Sequence, residues 1–216
     1  MTRADLPFIV ATVATGVLLM YLGRSLTFWH DEWRSITFDG GFVDYFRPVN
    51  EHWSTFPLVL YRATFELVEL RSYLPYLAQV IVLHLVAVAG AYVLIRRRVG
   101  PFVATLLSLP LLLLGAGAEN LFWAFQTGFV GSVMFGVWAL VFIERPGRSG
   151  AIVASALLVA SLMSSGIGLF FVVAVAGRTV LDRSYPIRAV EHGPSRYSHD
   201  EEEPDSRRHE RCDEQG

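Results

Sequence analysis

Hydrophobic residues fall in long blocks along this chain, and each block closes on a short polar segment. The first block runs from about position 7 to position 28. A long mixed segment follows, Trp29 to Ser72, with seven carboxylates and four arginines. Further apolar blocks lie at about 73–95, 101–118, 127–143 and 151–176. Crossing a bilayer takes roughly 20 apolar residues as a helix, so the pattern predicts an all-α, polytopic transmembrane bundle. The last block is long for one span, about 39 Å at 1.5 Å per residue. Ser164-Ser165-Gly166 divides it, so a re-entrant pair and a single tilted helix both fit.

The charges orient this pattern. Arg3, Arg96 to Arg98, Arg145 and Arg148 fall at alternate ends of successive blocks, so all can share the cytoplasmic side. The N-terminus is then cytoplasmic, and the first long loop is extracytoplasmic with Glu119–Gln126. Trp29, Trp33, Trp53 and Trp123 gather at that outer boundary, as an aromatic belt does. The first block has no small-residue cleavage site and reads as a retained helix in the cell membrane.

Composition agrees: hydrophobic residues make up 53% of the chain, and the mean hydropathy is +0.42. All 18 basic residues are arginine. No basic patch with interleaved aromatics occurs, so nucleic acid is not an expected partner. The lone Cys212 excludes an intrachain disulfide and any Cys-based metal cluster. From position 184 to 216 the chain is polar and nearly free of aliphatics, which predicts a disordered tail behind a module at 1–183. So sharp a change is also what a truncated or frame-shifted gene end produces.

Three polar clusters fall on the outer side. His30-Asp31-Glu32 follows the first block directly. Glu51-His52 lies beyond the Gly40-Gly41 turn, four residues after Arg47. Glu119 and Gln126 bracket the third segment. Charged groups at membrane depth mark function by default. Beyond Pro57, Arg62, Glu66 and Glu69 recur on one helical face while Leu58, Phe65 and Val68 take another, as in a helix lying in the interface plane with its apolar face in lipid, the alternative being a short helix that packs on the spans.

This layout resembles the GT-C class of integral membrane glycosyltransferases: an acidic motif after the first helix, a large first outer loop with interface helices, then a bundle of short-looped spans. His30-Asp31-Glu32 stands where that class carries its acidic motif. Glu51-His52 and Glu119 match further outer polar positions. The resemblance covers about 6–183, and GT-C members have more spans, so this chain compares with an N-terminal portion. It implies transfer of a sugar from a polyprenyl-phosphate donor, held in membrane lipid, to an acceptor hydroxyl. Asp31 is then the candidate general base or acceptor-orienting group, with Glu32 beside it. Arg47 is a candidate phosphate clamp, and Glu51, His52, Glu119 and Gln126 are candidate substrate-binding groups. Glu32, Glu51 and His52 are candidate ligands for a divalent cation, Mg2+, Mn2+ or Zn2+. Two rival readings are a transporter or channel subunit and a non-catalytic membrane scaffold.

Overall fold

The computed structural model describes residues 3–48, 53–113 and 117–184. Among them the secondary structure is entirely helical, and three helices are long and apolar enough to cross a membrane. The chain divides into one unit up to Val180 and a second, Leu181–Gly216, of which only 181–184 are described. The polar tail at 185–216 therefore lies outside the described residues, as do Glu51 and His52.

Helix α1 is Leu6–Leu22, entered through a one-turn 3-10 helix at Arg3–Asp5. It ends about six residues before the apolar block does. The 3-10 turn Gly23–Ser25 takes over, and there is no space for a side chain at Gly23, where a Cβ would sit 2.2 Å from Leu77. Helices α2 (Glu32–Ile36) and α3 (Thr55–Val68) occupy the long loop, with a 3-10 turn at Phe42–Phe46 between them. Helix α4 (Leu74–Val99) is the longest, and Arg96, Arg97 and Arg98 form its last turn, where cations oppose the helix dipole.

Helix α5 is described over Pro101–Leu113, and residues 114–116 lie outside the described residues. Pro110 removes a backbone donor within it. His84, buried in α4, places Nε2 3.0 Å from the Leu112 carbonyl and so ties α4 to α5. The expected polar turn at 119–126 is the short helix α6 (Ala118–Phe122) followed by a 3-10 turn, Ala124–Gln126. Helix α7 (Thr127–Ile143) coincides with its apolar block. The block at 151–176 forms two helices, α8 (Arg148–Leu162) and α9 (Gly168–Ser184), broken at the Ser164-Ser165-Gly166 segment.

Helix α4 is the axis, packed by α1, α5 and α7, and α7 in turn carries α8. In a bilayer, close backbone approach and interhelical hydrogen bonds hold such helices. Both are present. Ser132 Oγ donates to the Ser161 carbonyl at 2.9 Å, and Ser161 Oγ returns a bond to the Ser132 carbonyl at 2.8 Å. Gly136 lies flat under the ring of Phe171, which a Cβ would meet at 2.2 Å. Phe8 of α1 stacks on Tyr92 of α4 with centroids 3.8 Å apart.

The arginine clusters meet at one end of this bundle. Asp5, fully buried, pairs with Arg96 at 3.0 Å and accepts from Tyr92 Oη at 2.7 Å. Glu144 receives Arg97, Arg98 and Arg178. The tryptophans mark the opposite end, where the rings of Trp29 and Trp123 lie 5.8 Å apart.

Helix α3 corrects one expectation. Leu58 is buried, and Phe65 and Val68 pack on the core cluster around Tyr61, Tyr76 and Val80. The face expected to meet lipid packs on protein. An apolar helical face identifies burial but not the medium that buries it. Arg62 does pair with Glu66 at 2.5 Å, but Glu69 leaves that face, because it ends the helix with φ +50° and turns to Arg71.

Candidate functional site

The acidic motif sits at the tryptophan end. After α1 the chain turns through Gly23–Ser25, and Phe28 wedges edge-on against Tyr73 and Tyr76. His30 adopts φ +49°. A left-handed backbone is uncommon outside glycine but enriched for His, Asn and Asp, and it clusters at functional sites. The kink points the two carboxylates in different directions.

Glu32 goes inward. It is fully buried and collects three donors: the Trp29 amide at 2.7 Å, Tyr73 Oη at 2.8 Å and Tyr61 Oη at 3.0 Å. Tyr73 Oη in turn accepts the Ala124 amide at 2.8 Å. One carboxylate thus ties α2 to α3, to the start of α4 and to the turn before α7. Burial, with the charge of Glu32 beside it, raises the Tyr61 phenol far above its ordinary value. Tyr73 is raised chiefly by burial too, partly offset by the Ala124 amide.

Asp31 goes outward. Its side chain is 54% exposed and lies 3.3 Å from His30 Nδ1. It stands at the rim of a cavity of about 120 Å³. Arg34, one helical turn on, shares the rim and makes no ion pair among the described residues. The walls come from α3 (Pro57, Leu58, Tyr61), from α7 (Gly128, Phe129) and from the turn between α8 and α9. Ser164 and Ser165 of that turn are buried and line the cavity. A break in a helix is stable at membrane depth only when buried in protein or facing a polar cavity, and this one is buried in protein. The Phe56 amide clamps it by donating to the Met163 carbonyl at 3.0 Å. Gly128 allows the close approach, since a Cβ there would lie 2.9 Å from the Ser164 carbonyl.

The remaining candidates are placed differently. Arg47 is exposed and paired with Asp44 at 3.1 Å, and it does not line the cavity. Glu51 and His52 lie outside the described residues. Glu119 is exposed in the first turn of α6, with no ion pair among the described residues. Gln126 is buried at the start of α7, with its Oε1 unpartnered among the described residues. The contact of Trp29 with Trp123 brings the acidic motif and the 119–126 segment to one end of the bundle. Asp31 and the two serines meet at the cavity, and Glu32 supports it from behind.

Of the three candidate ligands for a divalent cation, Glu51 and His52 lie outside the described residues. Glu32 is enclosed by its three donors with no open face. Among the described residues no three His, Cys, Asp or Glu side chains converge.

Arg34, Tyr61 and Tyr73 are the site residues that the sequence reading leaves out. Arg34 had a signal, for positions i and i+3 of a helix share a face, and Asp31 is three residues before it. The tyrosines had none, because Glu32 meets them from 29 and 41 residues away. Comparisons with protein-family models, with curated proteins and with solved structures gave no match.

Proposed function

We propose that this chain is a GT-C-type membrane glycosyltransferase module, with its site in the cavity at the tryptophan end and that end extracytoplasmic. The observation that carries the reading is the cavity rim. A solvent-facing carboxylate, Asp31, and a guanidinium, Arg34, that makes no ion pair among the described residues stand one helical turn apart over a partly apolar space. That is a suitable pair of groups for a reaction in which a hydroxyl loses a proton while a phosphate leaves.

The chemistry follows from those charges. Asp31 takes the proton of the acceptor hydroxyl as its oxygen bonds to the anomeric carbon of the donor sugar. The bond from that carbon to the phosphate oxygen breaks, and the electron pair leaves with the polyprenyl phosphate. Arg34 balances the departing charge, a role suited to a forked guanidinium. Arg34 thus replaces Arg47 as the candidate phosphate clamp, since Arg47 is turned to Asp44. Glu32 is a positioning residue that fixes the register of α2 through Tyr61 and Tyr73. Ser164, Ser165 and Gly128 shape the floor. No step is assigned to a metal.

The test is transfer from a polyprenyl-phosphate sugar by the full chain in proteoliposomes. Asp31→Asn is expected to lower the rate by about 10² to 10⁴ with folded yield unchanged. Full activity in that variant sinks the role of Asp31.

A second reading rests on the broken helices. Helices α8 and α9 meet at a buried polar turn. Discontinuous helices around a cavity also build transporters. Solute flux in the same proteoliposomes without sugar transfer favours that reading.

A further inference from the structure

The first long loop carries an apolar surface that the cavity does not use. In the 3-10 turn Phe42–Phe46, Phe42 is 79% exposed, Val43 68% and Phe46 46%. Contiguous exposed apolar groups mark a contact surface. The depth of the turn identifies the medium it meets. Helix α3 enters beside α7, where the Phe56 ring packs on Phe135 with centroids 4.9 Å apart, and a Cβ at Gly131 would lie 2.9 Å from the same ring. Gly131 and Phe135 lie about one and two turns inside α7, roughly 6 and 12 Å from its start. Thr55, next to Phe56, donates its hydroxyl to the Tyr45 carbonyl at 2.6 Å. The turn is thereby tied to the bundle alongside a helix long and apolar enough to cross a membrane, inside its end and not beyond it.

Backbone at that depth is stable only with its polar groups satisfied. The carbonyls that a 3-10 turn leaves open at its end are closed here. The Asp44 carbonyl accepts the Arg47 amide at 3.2 Å, the Tyr45 carbonyl accepts from Thr55, and the Phe46 carbonyl accepts the Trp53 indole N–H at 3.0 Å. At the entry, the Gly41 amide donates to Asp44 Oδ2 at 2.9 Å. A loop in water has no need of side-chain donors for its carbonyls, because water supplies them. The charged pair Asp44–Arg47 is joined at 3.1 Å, and a long arginine stem lets its guanidinium stay among headgroups. Trp33 and Trp53, both exposed, belong to the same end of the bundle, as an interfacial aromatic belt requires.

We propose that the Phe42–Phe46 turn is embedded in the bilayer, with Phe42, Val43 and Phe46 among the acyl chains of the leaflet at the tryptophan end. The turn rests on the membrane reading of the bundle and is independent of any transferase activity. It also brings that leaflet beside the cavity, since Phe38, which stands edge-on to Tyr45 with centroids 4.8 Å apart, is one of the cavity walls.

The test attaches one thiol-reactive NBD fluorophore to the full chain in phosphatidylcholine vesicles, with Cys212→Ser removing the native thiol. The label goes on Phe42→Cys, with Val82→Cys on the exposed face of α4 as the lipid control and Arg71→Cys in the polar turn before α4 as the water control. Phosphatidylcholine brominated at successive acyl positions reads depth, and iodide on both sides of the membrane reads access to water. The label at position 42 is expected to be quenched by brominated lipid from about 5–10 Å inside the interface, and to lose the iodide quenching that the Arg71→Cys label shows. Should Phe42→Cys not fold, Val43→Cys carries the same expectation. Iodide quenching at the level of the water control overturns the proposal, and lipid quenching at Val82→Cys in the same vesicles then leaves the membrane reading standing. Shielding from both quenchers overturns it too. A second copy is then the cover where dilution of the protein in lipid restores quenching, and another segment of this chain where it does not.

Discussion

At the scale of single residues, the motif assigns different work to adjacent carboxylates. Glu32 satisfies two phenols and a backbone amide, and removing it leaves two buried donors and one part-buried donor open. An unsatisfied buried donor costs about 1–3 kcal/mol. Glu32→Ala should therefore destabilise the chain by about 3 kcal/mol or more, read as loss of folded yield and a lower melting temperature. Asp31→Asn should change neither. If Glu32→Ala folded as well as the wild type, the tyrosine node would not be holding α2. His30 supplies a second check. At φ +49° a β-branched residue is strained by about 1–2 kcal/mol, so His30→Val should lower the melting temperature and His30→Gly should be tolerated. Glu144 titrates in the acid range. Burial alone would raise it, but the arginines outweigh that and hold it below its ordinary value of 4.5. Its folded pKa is depressed, so its contribution is complete above 4.5 and is lost as pH falls through the lower folded value. Melting temperature should drop on acidification below 4.5, and Glu144→Gln should flatten that drop. An unchanged acid profile in Glu144→Gln would mean that the arginine cluster adds nothing to stability.

At the scale of elements, the sequence pattern shows much of the helix inventory and little of its packing. The block at 127–143 is helix α7 without adjustment, because nothing inside it competes with helix. The break at Ser164-Ser165-Gly166 is equally visible, since polar residues in an apolar run need a reason. The early end of α1 is not visible, because it depends on Leu77, far along the chain, filling the space at Gly23. The site was legible as an acidic motif, but the inward turn of Glu32 was not, since the tyrosines that hold it are distant in sequence. Contacts between elements give the matching prediction. Gly136→Leu must drive a side chain into the Phe171 ring, so α9 has to shift or the helices separate. Overpacking typically costs about 1–3 kcal/mol. The variant should melt lower, and protease should cut it faster in the turn between α8 and α9. A variant with wild-type melting would mean that α9 does not pack on α7.

At the scale of the whole molecule, chemistry is divided between the two ends of the bundle. The arginine end holds buried and half-buried ion pairs that clamp α1 to α4 and α7 to α9. The tryptophan end holds the cavity, with Asp31 and Arg34 at its rim. The bundle between them is held by small residues and by reciprocal serine bonds. Such a frame keeps the cavity walls, drawn from α2, α3, α7 and the turn after α8, in fixed relation. The central claim is that the cavity rim holds the phosphate of a lipid-linked sugar. Equilibrium binding of a polyprenyl-phosphate sugar to the full chain in micelles tests it most directly, with Arg34→Glu beside the wild type. Arg34 is exposed, so the reversal should fold normally. The account predicts saturable binding by the wild type and a loss of about tenfold or more in Arg34→Glu, the scale of a lost charge-assisted hydrogen bond. Equal binding by a folded Arg34→Glu, or no saturable binding by the wild type, would contradict it.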